Sequence, residues 1–191
     1  MPRGVTSEQC PASDPTPFVP TPIQQETLER FVGTIVPSQT LKGLALDHKL
    51  GSGKTCTSIL IADTCLKQGL VDRVFVLTTG SLRGNWVSEY CHLCGNAPLP
   101  SEISEGEEGS KSPLPESYRF VTYNFKADLA SVGSMDRALV IIDEYHNFIN
   151  GVKNQSVSFV QLYDLVSASD CKVLLLSGTP IYERVEEWLL I

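Results

Sequence analysis

The chain has 191 residues, 42% hydrophobic and 19% charged, with a net charge of −7. That is one domain with tails, long enough for a proper core and ordinary for a soluble globular protein. No apolar run approaches the roughly 20 residues of a membrane span, and the start Met1-Pro2-Arg3-Gly4-Val5 has no signal-peptide core, so the expected setting is intracellular or packaged, not secreted and without a membrane partner.

The acidity does not advertise nucleic-acid binding, which usually shows as a basic surface. Five of the 22 acidic residues and one of the 15 basic ones lie in 101–117, leaving 17 against 14 elsewhere. A near-neutral domain can hold a strand through backbone N–H groups and a few cations, so charge excludes little. The six cysteines are expected as reduced thiols. Cys91-His92-Leu93-Cys94 has the spacing of half a zinc site, but no second pair lies at a suitable distance. Small side chains at a helix end are the expected reading.

Residues 1–20 carry five prolines and few large apolar side chains, as in a disordered tail. Thr21-Pro22-Ile23-Gln24 starts a helix: Thr as N-cap, Pro at the first position, Gln three beyond the cap. Ile23, Leu28, Phe31 and Ile35 continue its apolar face to about Val36. Leu41–Asp47 reads as the first core strand, followed by a glycine turn and a helix to about Lys67, with Ile59, Ala62 and Leu66 inward and Gly69 as cap.

Arg73–Thr79 is a buried strand, and a helix runs from Ser81 towards Cys94. Residues 95–117, rich in Pro, Gly, Ser and Glu, read as a mobile acidic insertion. Tyr118–Tyr123 resumes as a strand, and 124–137 form a short helix and turn. Ala138–Ile142, the most hydrophobic strand, delivers Asp143-Glu144-Tyr145-His146 at its carboxyl end. A helix around Val157–Ala168, the strand Lys172–Leu176, the turn Ser177-Gly178-Thr179-Pro180 and an amphipathic helix Tyr182–Ile191 complete the chain.

Strands alternating with helices, and apolar throughout, predict an α/β fold with a mainly parallel sheet covered on both faces. Ligands of such sheets bind beyond the carboxyl ends of the strands. The stretches 51–55, 143–146 and 177–180 all fall at such ends, and the strand ending at Leu176 is expected between those ending at Asp47 and Ile142.

The first of these stretches has the chemistry of a phosphate loop. Gly51-Ser52-Gly53-Lys54-Thr55 follows an apolar strand and opens a helical run. Glycines let backbone N–H groups converge on phosphate oxygens, and the helix presents its positive end to the same anion. Lys54 would reach the β- and γ-phosphates of ATP and Thr55 would ligate Mg²⁺. The longer G-x-x-x-x-G-K-[ST] pattern asks for glycine where the chain has His48. Asp143 would hold the Mg²⁺ shell, and Glu144 would take a proton from the attacking water. His146 either senses the γ-phosphate and links to Ser177 and Thr179, or is an ordinary polar residue on a helix's first turn. Ser177 and Thr179 are either reporters of nucleotide state or plain turn chemistry.

With these residues in place, the chain from about Pro22 to Trp188 resembles the first RecA-like lobe of a superfamily-2 helicase or translocase, a P-loop three-layer sandwich. Gly51–Thr55 is similar to motif I, Asp143–His146 to the DExH form of motif II and Ser177–Pro180 to motif III. Thr79-Gly80-Ser81-Leu82-Arg83-Gly84-Asn85-Trp86 is similar to motif Ia of Swi/Snf-type ATPases, with Thr79 in place of a proline. Phe120–Tyr123 resembles motif Ib, and motifs II and III look most like helicases of large DNA viruses, including poxvirus-type transcription ATPases.

The resemblance implies ATP-driven movement on nucleic acid, DNA rather than RNA, gripped by its backbone through Ser81, Arg83, Asn85 and Thr122. A solvated helix start is the rival reading for Arg83 and Asn85, and Trp86 reads as a core anchor. Gln24 looks like an adenine-reading Q motif, since an amide matches adenine's adjacent donor and acceptor. The capping box is its rival use, with Gln25 the fallback. The family uses a second lobe that supplies arginines, and here the chain ends eleven residues after Pro180. A second lobe in cis or trans and weak hydrolysis without it are therefore expected. Two other classes stand beside this one: a non-hydrolysing nucleotide-dependent scaffold, and a small P-loop kinase.

Overall fold

The computed structural model describes residues 18–47, 51–90, 115–123 and 132–178. The expected tail up to residue 17, the 95–117 insertion up to residue 114, the Cys91–Cys94 pair, residues 124–131 of the expected short helix and turn, and the helix at 182–191 lie outside the described residues; Phe18, expected in the tail, packs against the core. Five strands form one sheet: β1 (Gly43–Asp47), β2 (Arg73–Thr78), β3 (Tyr118–Thr122), β4 (Ala138–Asp143) and β5 (Lys172–Ser177). Their order is β1-β5-β4-β2-β3, and every pairing is parallel. β5 therefore sits between β1 and β4, as expected.

The strands are apolar throughout because both sheet faces are covered. Side chains alternate between two cores, as the pleat dictates. Val74, Val76, Leu139, Ile141, Leu174 and Leu176 pack in one, with Phe31, Ile59 and Trp86. Phe75, Leu77, Val140, Ile142, Val173 and Leu175 pack in the other, with Phe148, Ile149 and Leu162. The first core is covered by α1 (Pro22–Arg30), α2 (Lys54–Lys67) and α3 (Arg83–Ser88), the second by α4 (Tyr145–Lys153) and α5 (Val157–Ala168).

Several boundaries moved from their expected places. The first helix gives way at Phe31 to a π-helical turn, Phe31–Ile35, and Ile23 is 62% exposed while Gln24 is buried. Periodicity put Ile23 on the inner face; the capping box rotates Gln24 inward instead. Tyr145–Lys153 forms a helix of its own, with Tyr145, Phe148, Ile149 and Val152 buried at i, i+3, i+4 and i+7. Gly69, at φ +66°, ends α2 as expected: its N–H bonds Leu66 O, and that of Leu70 bonds Cys65 O, the Schellman pattern.

Buried polar groups tie the layers. Tyr118 donates to Asp63 Oδ1 at 2.6 Å, joining β3 to α2. Lys42 Nζ donates to the carbonyls of Ser167 and Ser169 at the end of α5, which pins the start of β1. Gly151 lets α4 and α5 close, since a Cβ there would run into the Phe159 ring. Cys65 and Cys171 are free thiols, but Cys56 is disulfide-bonded, against the expectation of reduced thiols throughout. No described helix is long and apolar enough to cross a membrane.

Candidate functional site

The register of β1, β5 and β4 aligns their carboxyl ends. Leu46 pairs with Leu176, and Leu176 with Asp143, so the three stretches leave the sheet at one level. Adjacent strands lie about 4.8 Å apart, which puts the β1 and β4 ends roughly 10 Å from each other. That distance suits a polyphosphate and a cation between them.

On the β1 side, Gly51 and Gly53 both have φ +78°, in the left-handed region that glycine enters at no steric cost. Gly53 is the N-cap of α2 with no side-chain cap hydrogen bond, and the start of such a helix is where an anion site can form. The Gly53 carbonyl points back into the fold, where it accepts from Thr57 N at 2.8 Å, Thr57 Oγ1 at 2.9 Å and Gln24 Nε2 at 3.4 Å. Gln24 is thus used twice. Its Oε1 accepts from Thr21 N at 2.9 Å in a complete capping box, and its Nε2 reaches the glycine turn. Gln25 instead bonds Glu29 on the exposed face. Ser52 is exposed, and Lys54 and Thr55 are half-buried in the first turn of α2.

Asp143 is the last residue of β4. Its Oδ2 accepts from Trp86 Nε1 at 2.8 Å and from Thr78 Oγ1 at 3.3 Å. Burial pushes its carboxyl above the usual carboxylate range; the Trp86 bond pulls the other way, and the neighbouring Glu144 charge adds to the rise. Its main chain is pinned as well: Tyr123 shares one hydroxyl proton between Asp143 O at 2.6 Å and Leu77 O at 3.1 Å. Burial, then the Asp143 and Glu144 charges, raise the Tyr123 phenol.

Glu144 has φ 50° and ψ 53° as the N-cap of α4, a left-handed conformation uncommon for a residue with a Cβ. Such strain persists where surroundings over-determine it, and it clusters at functional sites. Here it turns the chain from strand to helix within one residue. His146 Nδ1 then lies 3.3 Å from Glu144 Oε2 and 3.1 Å from Ser177 Oγ. The link from His146 to Ser177 is thus made in the structure, and Ser177 is fully buried at the end of β5. Thr179 lies outside the described residues, as does His48.

Ser81, Arg83 and Asn85 are all exposed around the start of α3, and Ser81 Oγ is 3.1 Å from Thr79 Oγ1. Arg83 stands 5.4 Å from the Phe120 ring centroid, a cation–π contact. Thr122 ends β3 beside Thr78 in register. The roles of Trp86, Thr78 and Tyr123 around Asp143 were not foreseen. Trp86 and Tyr123 end the stretches similar to motifs Ia and Ib, but an indole N–H and a phenol look the same in sequence whether they anchor a core or a carboxylate.

Among the described residues, no group of three His, Cys, Asp or Glu side chains could hold a metal ion. At the two strand ends, the Thr55 hydroxyl and the Asp143 carboxylate are the oxygen groups that would serve as donors. That set fits a hard cation that takes its other ligands from phosphate and water, not a closed zinc site.

The family described as "Type III restriction enzyme, res subunit" matches residues 17–182. The putative helicase 087L of Invertebrate iridescent virus 3 is 28% identical over 189 residues, covering 86% of this chain and 19% of its own. The putative ATP-dependent RNA helicase R563 of Acanthamoeba polyphaga mimivirus is 27% identical over 184 residues, covering 86% and 30%. The termination factor NPH-I homolog of an African swine fever virus isolate is 27% identical over 150 residues, covering 74% and 20%. The chain thus spans 19–30% of the length of these relatives. Among solved structures, the Sulfolobus solfataricus SWI2/SNF2 ATPase core in complex with dsDNA superposes with a TM-score of 0.60 at 19% identity, over 88% of this chain and 34% of that one. The likeness extends to the α/β fold built on this five-stranded, all-parallel sheet. The chain belongs to the family described as the res subunit of type III restriction enzymes, as a first RecA-like lobe of the superfamily-2 helicase kind.

Proposed function

We propose that the chain is the ATP-binding lobe of a nucleic-acid-dependent ATPase that couples hydrolysis to movement on DNA, works with a second RecA-like lobe in cis or trans, and turns over slowly without it. The observation that carries the reading is the contact chain Glu144–His146–Ser177, which joins the ends of β4 and β5 next to the glycine turn after β1.

The roles follow from chemistry and position. Gly51, Ser52 and Gly53 wrap the phosphates with main-chain N–H groups, and Lys54 neutralises the β- and γ-phosphates. Thr55 and Asp143 hold Mg²⁺, which when bound offsets the charge developing on the transferred phosphoryl group. Glu144 orients the attacking water and accepts its proton at a carboxylate oxygen. Its unusual backbone fixes where that carboxylate stands. His146 and Ser177, joined to Glu144, report the state of the γ-phosphate to the turn that carries Thr179. Gln24 holds the glycine turn by its own hydrogen bond, and adenine recognition through its amide is part of the proposal. Ser81, Arg83, Asn85 and Thr122 contact the strand's phosphates, which position the duplex without reading its sequence. A role in viral transcription rests on the likeness to the termination factor homolog.

The test is DNA-stimulated ATPase in the longest form of the protein, wild type against Glu144→Gln. Loss of a general base costs about 10²- to 10⁴-fold, with nucleotide binding retained. Equal rates remove Glu144 as the base. Wild-type hydrolysis that stays at background with DNA, despite tight Mg²⁺–ATP binding, favours the scaffold, and phosphoryl transfer to a small molecule the kinase.

A further inference from the structure

Asp143 is aimed by side chains from two other elements. Trp86, on α3, is 3% exposed, and its indole N–H donates to Asp143 Oδ2 at 2.8 Å. Thr78, the last residue of β2, donates to the same oxygen at 3.3 Å. Two donors on one oxygen fix the rotation of the carboxylate and thereby the direction of its other oxygen. An indole has one donor and no acceptor. A buried tryptophan that served packing alone could satisfy that donor with any nearby carbonyl; this one reaches 57 residues along the chain to the carboxylate at a strand end.

The ring is itself held from β3. Phe120 meets it in an edge-type contact, with centroids 6.4 Å apart, and the exposed Arg83 stands over the Phe120 ring, 5.4 Å from its centroid. A contiguous set of side chains therefore runs from the surface of α3 to the β4 end. Donors behind a metal ligand orient it, and their loss commonly costs 10- to 100-fold in metal affinity or activity.

We propose that Trp86 is a positioning residue for the divalent cation: its N–H fixes the Asp143 carboxylate and makes the orientation of that metal ligand depend on the seating of α3. This rests on the reading of Asp143 as a Mg²⁺ ligand given above.

The experiment is binding of a fluorescent ADP analogue to the full chain, titrated with Mg²⁺ and repeated in EDTA, for wild type, Trp86→Phe and Thr78→Val. Trp86→Phe keeps an aromatic ring and removes the donor. The Mg²⁺ concentration for half-maximal binding rises by about tenfold or more in Trp86→Phe and by less in Thr78→Val, with affinity in EDTA unchanged in both. An unchanged Mg²⁺ requirement, whatever the melting temperature does, overturns the proposal and leaves Trp86 a packing anchor. Should Trp86→Phe fail to fold, Thr78→Val decides alone, because it removes a donor from the same oxygen. Wild-type binding indifferent to Mg²⁺ removes Asp143 as a ligand and the proposal with it, an outcome distinct from a Mg²⁺ requirement that the variants share.

Discussion

Gly53→Ala tests the coupling between the glycine turn and α1. A left-handed backbone at φ +78° costs a residue with a Cβ roughly 1–2 kcal/mol. In addition, a Cβ at Gly53 would stand 2.9 Å from Gln24 Nε2, and that amide is buried and held by the capping box. Moving it aside breaks the reciprocal bonds with Thr21, worth about 0.5–2 kcal/mol. The sum is about 2–4 kcal/mol, and at 2–4 °C per kcal/mol for a domain of this size the melting temperature falls by roughly 5–15 °C. The structure makes a sharper claim about where the cost arises. With Gln24→Ala already in place, nothing is left to displace, so Gly53→Ala then costs only the backbone part. A double-mutant cycle by thermal or urea unfolding should give a coupling of about 0.5–2 kcal/mol, the part that involves Gln24. Equal costs in the two backgrounds would refute the reasoning.

Asp143→Asn removes a desolvated charge and keeps an acceptor for Trp86 and Thr78, so the free protein melts no lower than wild type while Mg²⁺-dependent nucleotide binding is lost; calorimetry and titration check the two halves. The sign with pH follows from the raised carboxyl. Its contribution to stability is present below the unfolded carboxylate range and is lost as pH rises through the higher folded value, so at neutral pH the ionised group is a cost that Mg²⁺ offsets. The rise in melting temperature on adding Mg²⁺–nucleotide should therefore shrink on acidification at a higher pH than an ordinary carboxylate gives, and be absent at every pH in Asp143→Asn. Gly151→Ala should destabilise by about 1–2 kcal/mol, because overpacking against Phe159, itself stacked on Tyr123, outweighs the helix propensity gained. Arg83→Ala should weaken duplex binding alike for all sequences and lower the salt slope by about 1, as loss of one phosphate contact does. An unchanged slope would return Arg83 to its stack on Phe120.

The sheet was legible because its signal is strong: Leu139–Ile142 and Val173–Leu176 are apolar on both faces, which only a covered parallel sheet needs. The three chemically matched strand ends were legible as one site, and the expected place of β5 between β1 and β4 is the one observed. Gln24 was ambiguous for a physical reason. The residue that makes a capping box is also the residue an adenine needs, and in the structure its two amide ends go to Thr21 and Gly53. Ile23 misled because a helix face is set by where its first turn is pinned as well as by hydrophobic spacing. The supports of Asp143 were out of reach, since Trp86, Thr78 and Tyr123 come from three other elements and meet it only across the sheet.

A crystal structure with ADP, Mg²⁺ and a γ-phosphate mimic tests the central claim most directly. The account predicts the β-phosphate at the N-terminus of α2 within reach of Lys54, the cation between Thr55 Oγ1 and the Asp143 carboxylate, and the mimic facing Glu144. A nucleotide seated elsewhere, or phosphates that engage α2 while the cation ignores Asp143, would contradict it.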